Sequence, residues 1–386
     1  MTGLPPVLEA RGLELVGHSD LDATGDGMQV MRNGDVVYVG HMGDFGVGTS
    51  VVDVSNPRRP RVVTQLPAPK RAHAHKTQFA DGILLVNHER YPYDVTDPES
   101  TGVVVYDVRI AQAPRRIGFL KVEGFGVHRI WWTGGRYAYG SARGRPGIHG
   151  ASLITVDLAD PEQPRLHAEW SFPEQQREGP DPGIRAPVRY PSCHHAIIRG
   201  DRAYAGWFDA GVVILSVDDG RLSLVGQVDW TERAGGHPYT HTALPLGDRG
   251  LVIATDEAID PDRSGAPKDI HVVDISAERA PREIARFPVP EDHPTEGLRF
   301  GPHNLHENRP GTFQSDTIVY ATYFSAGLRM YDTRDPRSVV ETARFVPTAP
   351  RGQAAIQLND LLVDADRTVF VTDRHRGGLY ILRPTG

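Results

Sequence analysis

The sequence of 386 residues contains one cysteine, Cys193. A single cysteine allows no intramolecular disulfide, which is typical of proteins that fold in a reducing compartment. No run of about 18 apolar residues occurs, so no membrane-spanning helix is predicted. The segment from Met1 to Gly12 also lacks a basic stretch followed by an apolar one, so no secretion signal is predicted. These absences predict a soluble, cytoplasmic protein without a membrane partner.

The sequence has no excess of positive charge. It carries 42 Lys and Arg against 49 Asp and Glu, a formal net charge of −7, and no long basic run. Nucleic-acid binding depends largely on Lys and Arg that neutralise phosphates, so no nucleic-acid partner is expected. Phosphate-binding glycine loops, dinucleotide fingerprints, nucleophile elbows and paired CxxC motifs are also absent. Nucleotide-dependent chemistry and thiol relay are therefore disfavoured.

A repeated β pattern dominates the sequence instead. Hydrophobic residues make up 39% and charged residues 24%, proportions that are typical of a globular protein. Short apolar runs alternate with turns that contain Asn-Pro, Asp-Pro or Asp-Gly, whereas helical periodicity is almost absent. A strand that ends in Asp-Val or a similar pair, a polar turn and a second strand recur in copies that begin at Ser50, Val103, Leu153, Val212, Ile270 and Leu328.

The repeat predicts a β-propeller. Each copy follows a further hairpin, so one unit holds four short strands in roughly 45 to 60 residues, as a propeller blade does. A seventh copy begins at Asn359 and stops after its third strand. We therefore predict an all-β, seven-bladed β-propeller that forms a single domain over residues 1–386. Strand 13–21 is expected to complete the blade at 359–384 and close the ring, which protects the sheet edges. An open β-solenoid or two packed sandwiches are the alternatives.

Histidines recur at one position of the unit. They are His75, His128, His194, His241 and His303. The first four stand six residues ahead of a tight-turn residue, and the fifth precedes a longer hairpin. Because the innermost strands of a propeller line its channel, we expect these imidazoles to form a ring. Neutral imidazole is a good ligand for Fe, Cu and Zn, so the ring predicts a transition-metal site whose metal is unassigned.

Two neighbouring repeats lack the histidine. Asn359 stands at this position in the last repeat and Gly27 or Met28 in the first, which leaves a gap where a ligand can approach. Three or four of the histidines are expected to bind the metal, since a catalytic ion keeps exchangeable positions. Loops 173–192 and 290–302 are predicted to cover this face. A polar, water-filled channel without a metal is the alternative.

Further polar residues are expected near the ring as second-shell or substrate-binding groups. They are His195, His306, Glu307, Glu89, Asp209, Glu257 and Asn359. Because side chains alternate along a strand, His73 and His195 are expected to point away from the channel. A one-residue bulge would instead place His195 on the channel wall in place of His194. His306 and Glu307 either reach the channel through the longer hairpin or lie on the surface.

Parts of the sequence are similar to known families. The unit VVDVSNPRRPRVV resembles that of the LVIVD-repeat seven-bladed β-propellers, and the similarity extends over nearly the whole chain. More distantly, RAHAHKTQ at 71–78 and GPHNLHEN at 301–308 are similar to segments of the selenium-binding-protein and methanethiol-oxidase propellers. The oxidase members of that group are associated with copper, so this second resemblance implies a redox metal centre.

We therefore expect a metal-dependent enzyme whose histidine-lined channel acts on a small organic substrate. Oxidation or oxygenation is the first reaction class, because an all-nitrogen ligand set suits redox metals. A metal-assisted lyase, isomerase or hydrolase at the same site is the second. A non-enzymatic propeller that binds a protein partner is the third, since the fold serves both roles. The substrate and the oligomeric state are left open by the sequence.

Overall fold

The computed structural model describes residues 4–42, 46–91, 101–179, 181, 191–230, 238–259, 268–291 and 298–385. Within these ranges the regular structure consists of 29 β-strands and one short 3-10 helix, Pro173–Gln175. No helix in the described part of the chain is long and apolar enough to cross a membrane. The all-β prediction is confirmed by this content.

The strands are short and follow one another closely along the chain. In order they are β1 (Val7–Arg11), β2 (Leu13–Ser19), β3 (Gly27–Asn33), β4 (Val36–His41), β5 (Val47–Asp53), β6 (Arg61–Pro67), β7 (Ala72–His73), β8 (Thr77–Ala80), β9 (Ile83–Arg90), β10 (Gly102–Asp107), β11 (Arg115–Lys121), β12 (Gly126–Trp131), β13 (Tyr137–Arg143), β14 (Ala151–Asp157), β15 (Arg165–Trp170), β16 (His195–Arg199), β17 (Arg202–Gly206), β18 (Val212–Asp218), β19 (Arg221–Val228), β20 (Thr240–Pro245), β21 (Leu251–Asp256), β22 (Ile270–Asp274), β23 (Arg282–Arg286), β24 (Ile318–Thr322), β25 (Leu328–Asp332), β26 (Val340–Pro347), β27 (Leu358–Val363), β28 (Val369–Asp373) and β29 (Gly378–Pro384).

Five sheets are four-stranded antiparallel blades. Three of them are formed by consecutive strands, β3 to β6, β16 to β19 and β20 to β23. The other two each take their outer strand from the N-terminal segment: β1 pairs with β26, and β2 pairs with β29. The two ends of the chain are thus joined by β-sheet hydrogen bonds, which cover strand edges that would otherwise be exposed.

The second and third repeats do not form separate blades. Strands β7 to β15 belong to one nine-stranded sheet of order β11-β10-β9-β12-β13-β14-β15, in which β7 and β8 also pair with β9. The link between the two repeats is the pairing of Glu89 in β9 with Gly126 in β12. The β-propeller prediction holds, but the prediction of seven blades is wrong: the described strands form five four-stranded blades and this nine-stranded sheet.

A glycine permits this junction. Gly126 has φ of +87°, and a Cβ built on it would overlap the carbonyl oxygen of His88. The spacing of turns and strands in a sequence predicts which strands pair within one repeat. The contact between Glu89 and Gly126 joins two repeats. The sequence pattern therefore contained no signal for the fusion.

We expect Gly126→Ala to lower the free energy of unfolding by about 2 kcal/mol, because alanine adopts this positive φ only with strain and its Cβ meets the His88 carbonyl. Urea denaturation measures the loss. Gly135→Ala is the matched control, since Gly135 has φ of +74° but no heavy atom within 4 Å of its Cβ position. Equal losses in the two variants would contradict the importance of the close approach.

Apolar side chains hold the sheets against one another. Every residue of β4 and β21 is buried, whereas the outer strand β6 alternates between exposed and partly buried residues. Trp170, Phe172 and Trp207 pack edge to face with ring centroids 5.0–5.5 Å apart. Burial of apolar surface contributes roughly 25 cal/mol per Å². This packing makes the strands a rigid frame for the polar residues between them.

Candidate functional site

Irregularities in strand pairing set the direction of the ring residues. The pairing of β12, β20 and β27 shifts register across a single residue, which is His128, His241 and Asn359 respectively. In β3 the pairing shifts across Met28 and Gln29. A β-bulge re-aims side chains and is common next to active sites. The same position of the repeat is therefore a bulge in four of the seven units.

Glycines in the preceding repeat let the ring backbone approach closely. A Cβ on Gly40 would lie 2.6 Å from the carbonyl oxygen of His75, and one on Gly206 would lie 2.5 Å from that of His241. Both separations are shorter than real Cβ contacts, so both positions require glycine. The sequence analysis missed these glycines, although their place near the end of the second strand of a repeat was a usable signal.

The structure brings the five ring histidines together. Centroids of neighbouring imidazoles are separated by 4.9 Å for His75–His128, 4.7 Å for His128–His194, 3.8 Å for His194–His241 and 4.4 Å for His241–His303. All five line one cavity of about 410 Å³, together with Glu89 and Glu257. The longer hairpin after His303 does not remove that residue from the ring.

Burial keeps four of these imidazoles neutral. Loss of hydration, and then the neighbouring imidazole, lowers the pKa of His75, His194 and His241 well below the ordinary value. Burial, and then the charge of Lys76, lowers the pKa of His303 in the same way. Only a neutral imidazole has a nitrogen lone pair for a metal. These four residues therefore have a free lone pair near neutral pH.

Two imidazole nitrogens face each other in the ring. Nδ1 of His128 donates to Oε2 of Glu89 at 2.7 Å, and Nδ1 of His194 donates to the carbonyl oxygen of His241 at 3.2 Å. Because a carboxylate and a carbonyl only accept, both Nδ1 atoms act as donors. The Nε2 atoms of His128 and His194 are 2.9 Å apart. A proton on one of them or a metal ion bound by both would join the two nitrogens.

His241 and Glu257 bring two more potential ligand atoms close to His194. His194, His241 and Glu257 each offer a ligand atom, and these atoms lie within 4.8 Å of one another. Nε2 of His241 is buried and has no hydrogen-bond partner among the described residues. Oε1 of Glu257 accepts from Arg299 at 2.9 Å and lies 3.5 Å from Nε2 of His303. A buried nitrogen without a partner is costly, and a metal ion would satisfy it.

His73 lines the cavity, so the prediction that it points away is wrong. Residues two apart on a strand share one face, which places His73 with His75 rather than opposite it. These two histidines and Glu89 form a second group of ligand atoms within 4.8 Å of one another. Burial lowers the pKa of His73 to about 4, the nearby Glu89 opposing the shift. His73 is therefore a further neutral imidazole on the cavity wall.

A second polar layer follows the ring. The residue after each ring position is polar and buried: Gln29, Lys76, Arg129, His195, Thr242, Asn304 and Asp360. Oδ2 of Asp360 lies 3.3 Å from Arg129 and 3.5 Å from Lys76. Lys76 lines the histidine-lined cavity, whereas Arg309 lines a separate cavity of about 430 Å³. A chain of ion pairs through Asp360, Arg129 and Glu307 thus connects residues that line the two cavities.

Glu307 is the centre of this layer. Its Oε1 accepts from Arg129 at 2.5 Å and from Nε2 of His195 at 2.9 Å, and Oε2 lies 3.6 Å from Arg309. Burial by itself would raise the pKa of Glu307, but Arg129 and then His195 hold it well below its ordinary value. The alternative that Glu307 lies on the surface is wrong. His195 is directed to Glu307 and does not replace His194 on the cavity wall.

The other predicted residues lie near the ring in different roles. Both ring nitrogens of His306 are bonded to backbone groups, and Asp209 is buried without lining the cavity. The carbonyl oxygen of Asn359 accepts from Nδ1 of His303 at 2.7 Å. The central parts of both predicted covering loops, 182–190 and 292–297, lie outside the described residues.

Comparisons with known proteins show the fold of the chain. The C-terminal WD40 domain of Sif2 is 8% identical, with a TM-score of 0.57 and 100% of both chains covered. The periplasmic gluconolactonase PpgL of Pseudomonas aeruginosa is 11% identical, with a TM-score of 0.59 and coverage of 89% of this chain and 93% of that one. A chain in an S. cerevisiae complex of Dbp5 with Nup159, Gle1, IP6 and ADP is 10% identical, with a TM-score of 0.58 and coverage of 99% and 98%.

These likenesses support a β-propeller and carry no more than the fold, because the identities are so low. The sequence matches no protein-family profile and no curated protein. The resemblances to the LVIVD-repeat and selenium-binding families therefore find no support in these comparisons.

Proposed function

We propose that the chain is a metal-dependent oxidoreductase whose metal is bound by the histidine ring and whose substrate is a small organic molecule in the adjoining cavity. The observation that carries the proposal is the pair of facing Nε2 atoms of His128 and His194, 2.9 Å apart with both Nδ1 atoms already donating. Imidazole nitrogens bind such an ion from about 2.1 Å, so two nitrogens at this separation would both reach one ion.

His241 and Glu257 are the residues that would complete the site. The Nε2 atom of His241 is orphaned and buried, and Glu257 brings a carboxylate to the same group. The site then offers three imidazole nitrogens and one carboxylate, and imidazole is a ligand that suits the redox metals Fe and Cu. This donor set favours oxidation or oxygenation over the alternatives, and a bound redox metal would supply electron transfer or oxygen activation.

The protein's own groups prepare the site in two ways. Glu89 orients the imidazole of His128 through a 2.7 Å hydrogen bond and so directs its Nε2 lone pair toward His194. Such carboxylate–histidine pairs fix the tautomer and raise the basicity of a ligand. Behind the ring, Arg129 forms ion pairs with Glu307 and Asp360. We therefore expect a substrate to approach the metal from the cavity.

Metal analysis of the untagged protein, purified without chelator, tests the proposal. We expect about one equivalent of Fe or Cu per chain, since one set of three or four ligands is in place. Removal of the metal by a chelator is expected to lower the melting temperature, because the metal binds the folded state alone, and re-addition is expected to restore it.

The other outcomes decide among the alternatives. One equivalent of Zn in place of a redox metal would contradict the oxidoreductase and favour a metal-assisted hydrolase, lyase or isomerase. Hydrolysis is also the activity that the name of the gluconolactonase neighbour states for that protein. Absence of any transition metal would contradict all of these and favour a propeller that binds a protein partner.

A further inference from the structure

Arg374 is a cation on the cavity wall that no carboxylate of the described residues pairs with directly, although Glu257 and Asp373 interact with it at longer range. It follows β28 and lies in the turn before β29, and its guanidinium lines the cavity of the histidine ring. Among the described residues, no carboxylate or carbonyl forms an ion pair or hydrogen bond with this side chain. Burial, and then the positive charge of Arg299, lowers the pKa of Arg374 to about 10. The guanidinium thus stays charged near neutral pH.

The other cations of the wall already have partners. Arg299 donates to Glu257 at 2.9 Å, and Arg143 donates to Asp181 at 3.1 Å. Lys76 lies 3.5 Å from Asp360. Desolvating a charge without a partner is unfavourable, so a buried cation is normally paired. Arg374 differs from these three residues, and the difference points to a negatively charged ligand.

The backbone holds Arg374 in place. Oδ1 of Asp373 accepts from the backbone N–H groups of His375 at 2.6 Å and Gly377 at 3.0 Å. The backbone N–H of Arg374 donates to the carbonyl oxygen of Gln357 at 3.1 Å. These bonds fix the turn on both sides of the guanidinium, so the cost of ordering it for a ligand is reduced.

Part of the cavity wall is apolar. Thr372, near the end of β28, donates to the carbonyl oxygen of Met28 at 2.6 Å, which places Met28 beside the start of the turn. Met28, Met42, Phe208 and Ile259 all line the cavity. Met28 stands where the ring lacks a histidine, so the gap in the ring is an apolar part of a cavity that Arg374 also lines. Such a surface fits a ligand with one charged end and an apolar body.

We infer that the cavity binds a small organic monocarboxylate, with its carboxylate on the guanidinium of Arg374 and its apolar body against Met28 and Met42. The inference rests on the proposed function, since it names the substrate class of the same site. A guanidinium matches a carboxylate through two parallel hydrogen bonds. One unpaired cation balances one negative charge, which favours a carboxylate over a phosphate dianion. The bound molecule would then extend toward the histidine ring.

Calorimetric titration of the metal-loaded protein with hexanoate, hexanamide and hexylphosphonate tests this inference. We expect hexanoate to bind at least about tenfold more tightly than uncharged hexanamide, since hydrogen bonds to charged groups contribute about 1.5–3 kcal/mol. Arg374→Met is expected to abolish that preference and to leave the metal content unchanged. Arg376→Met, an exposed residue of the same turn, is the matched control and should bind hexanoate as the parent does.

The outcomes separate this inference from the proposed function. A metal-loaded parent that does not prefer hexanoate, or an Arg374→Met variant that keeps the preference, would overturn the inference alone. Tighter binding of hexylphosphonate than of hexanoate would overturn the assignment of a carboxylate. A protein without metal would overturn the proposed function, whatever the titration shows. Melting temperatures of both variants verify that they fold.

Discussion

The double variant His128→Ala/His194→Ala is expected to lose its stoichiometric metal. Both facing nitrogens disappear, and His241 with Glu257 is left as an incomplete ligand set. Loss of an outer hydrogen-bond partner alone typically costs about 10–100-fold in metal affinity, so we expect at least about 100-fold for each lost ligand. Metal analysis and competition with a chromophoric chelator measure the change.

The control for this variant is His167→Ala. His167 lies on the outer strand β15, where its Nε2 donates to the carbonyl oxygen of Asp219, and it does not line the cavity. Its replacement should leave the metal content as in the parent. Metal retained at one equivalent in the double variant would rule out the proposed ligands. Circular dichroism of the metal-free proteins separates loss of metal from loss of fold.

Glu307→Ala is expected to lower the free energy of unfolding by about 3–5 kcal/mol, the usual cost of removing one partner from a buried ion pair. The side chain of Arg129 is fully buried, and its Nε already has no hydrogen-bond partner among the described residues. Without Glu307 it keeps only the 3.3 Å contact to Asp360, and His195 loses its acceptor. Urea denaturation of the metal-free protein measures the loss.

A double replacement tests the origin of that loss. Arg129→Met/Glu307→Met removes both charges and fills the space with apolar side chains, so it should be less destabilising than Glu307→Ala. Asp157→Ala is a surface control, because Asp157 pairs with the exposed Arg136 at 2.8 Å, and exposed pairs contribute little. A Glu307→Ala variant no less stable than Asp157→Ala would contradict the importance of the buried network.

Much of the fold follows from local sequence pattern. The strands, their hairpin pairing and the recurrent Asp-Val turns could be predicted because each depends on residues that are close in sequence. The fusion of β9 with β12 could not, since Glu89 and Gly126 pair across a repeat boundary. The five ring histidines were found because they recur in register. Of the polar layer behind them, His195 and Glu307 were predicted to lie near the ring. Lys76, Arg129 and Asp360 were missed although they directly follow ring positions.

The direction of individual side chains depended on tertiary contacts. Regular alternation fails at His128 and His241, where the pairing shifts register. His195 and Glu307 meet from distant parts of the chain, and Arg129, from a third part, also donates to Glu307. Hydrogen bonds between repeats decide such positions, and a single-sequence pattern contains no information on them.

The sequence by itself determined the repeated β architecture and the set of histidines, because periodicity specifies both strand order and equivalent positions. Only the tertiary structure decided that the Nε2 atoms of His128 and His194 meet, since the acceptors that orient the two rings belong to Glu89 and His241 in neighbouring repeats. It also decided that Arg374 and Met28 line the same cavity. Both arrangements require the strands of several repeats to be packed together before any site exists.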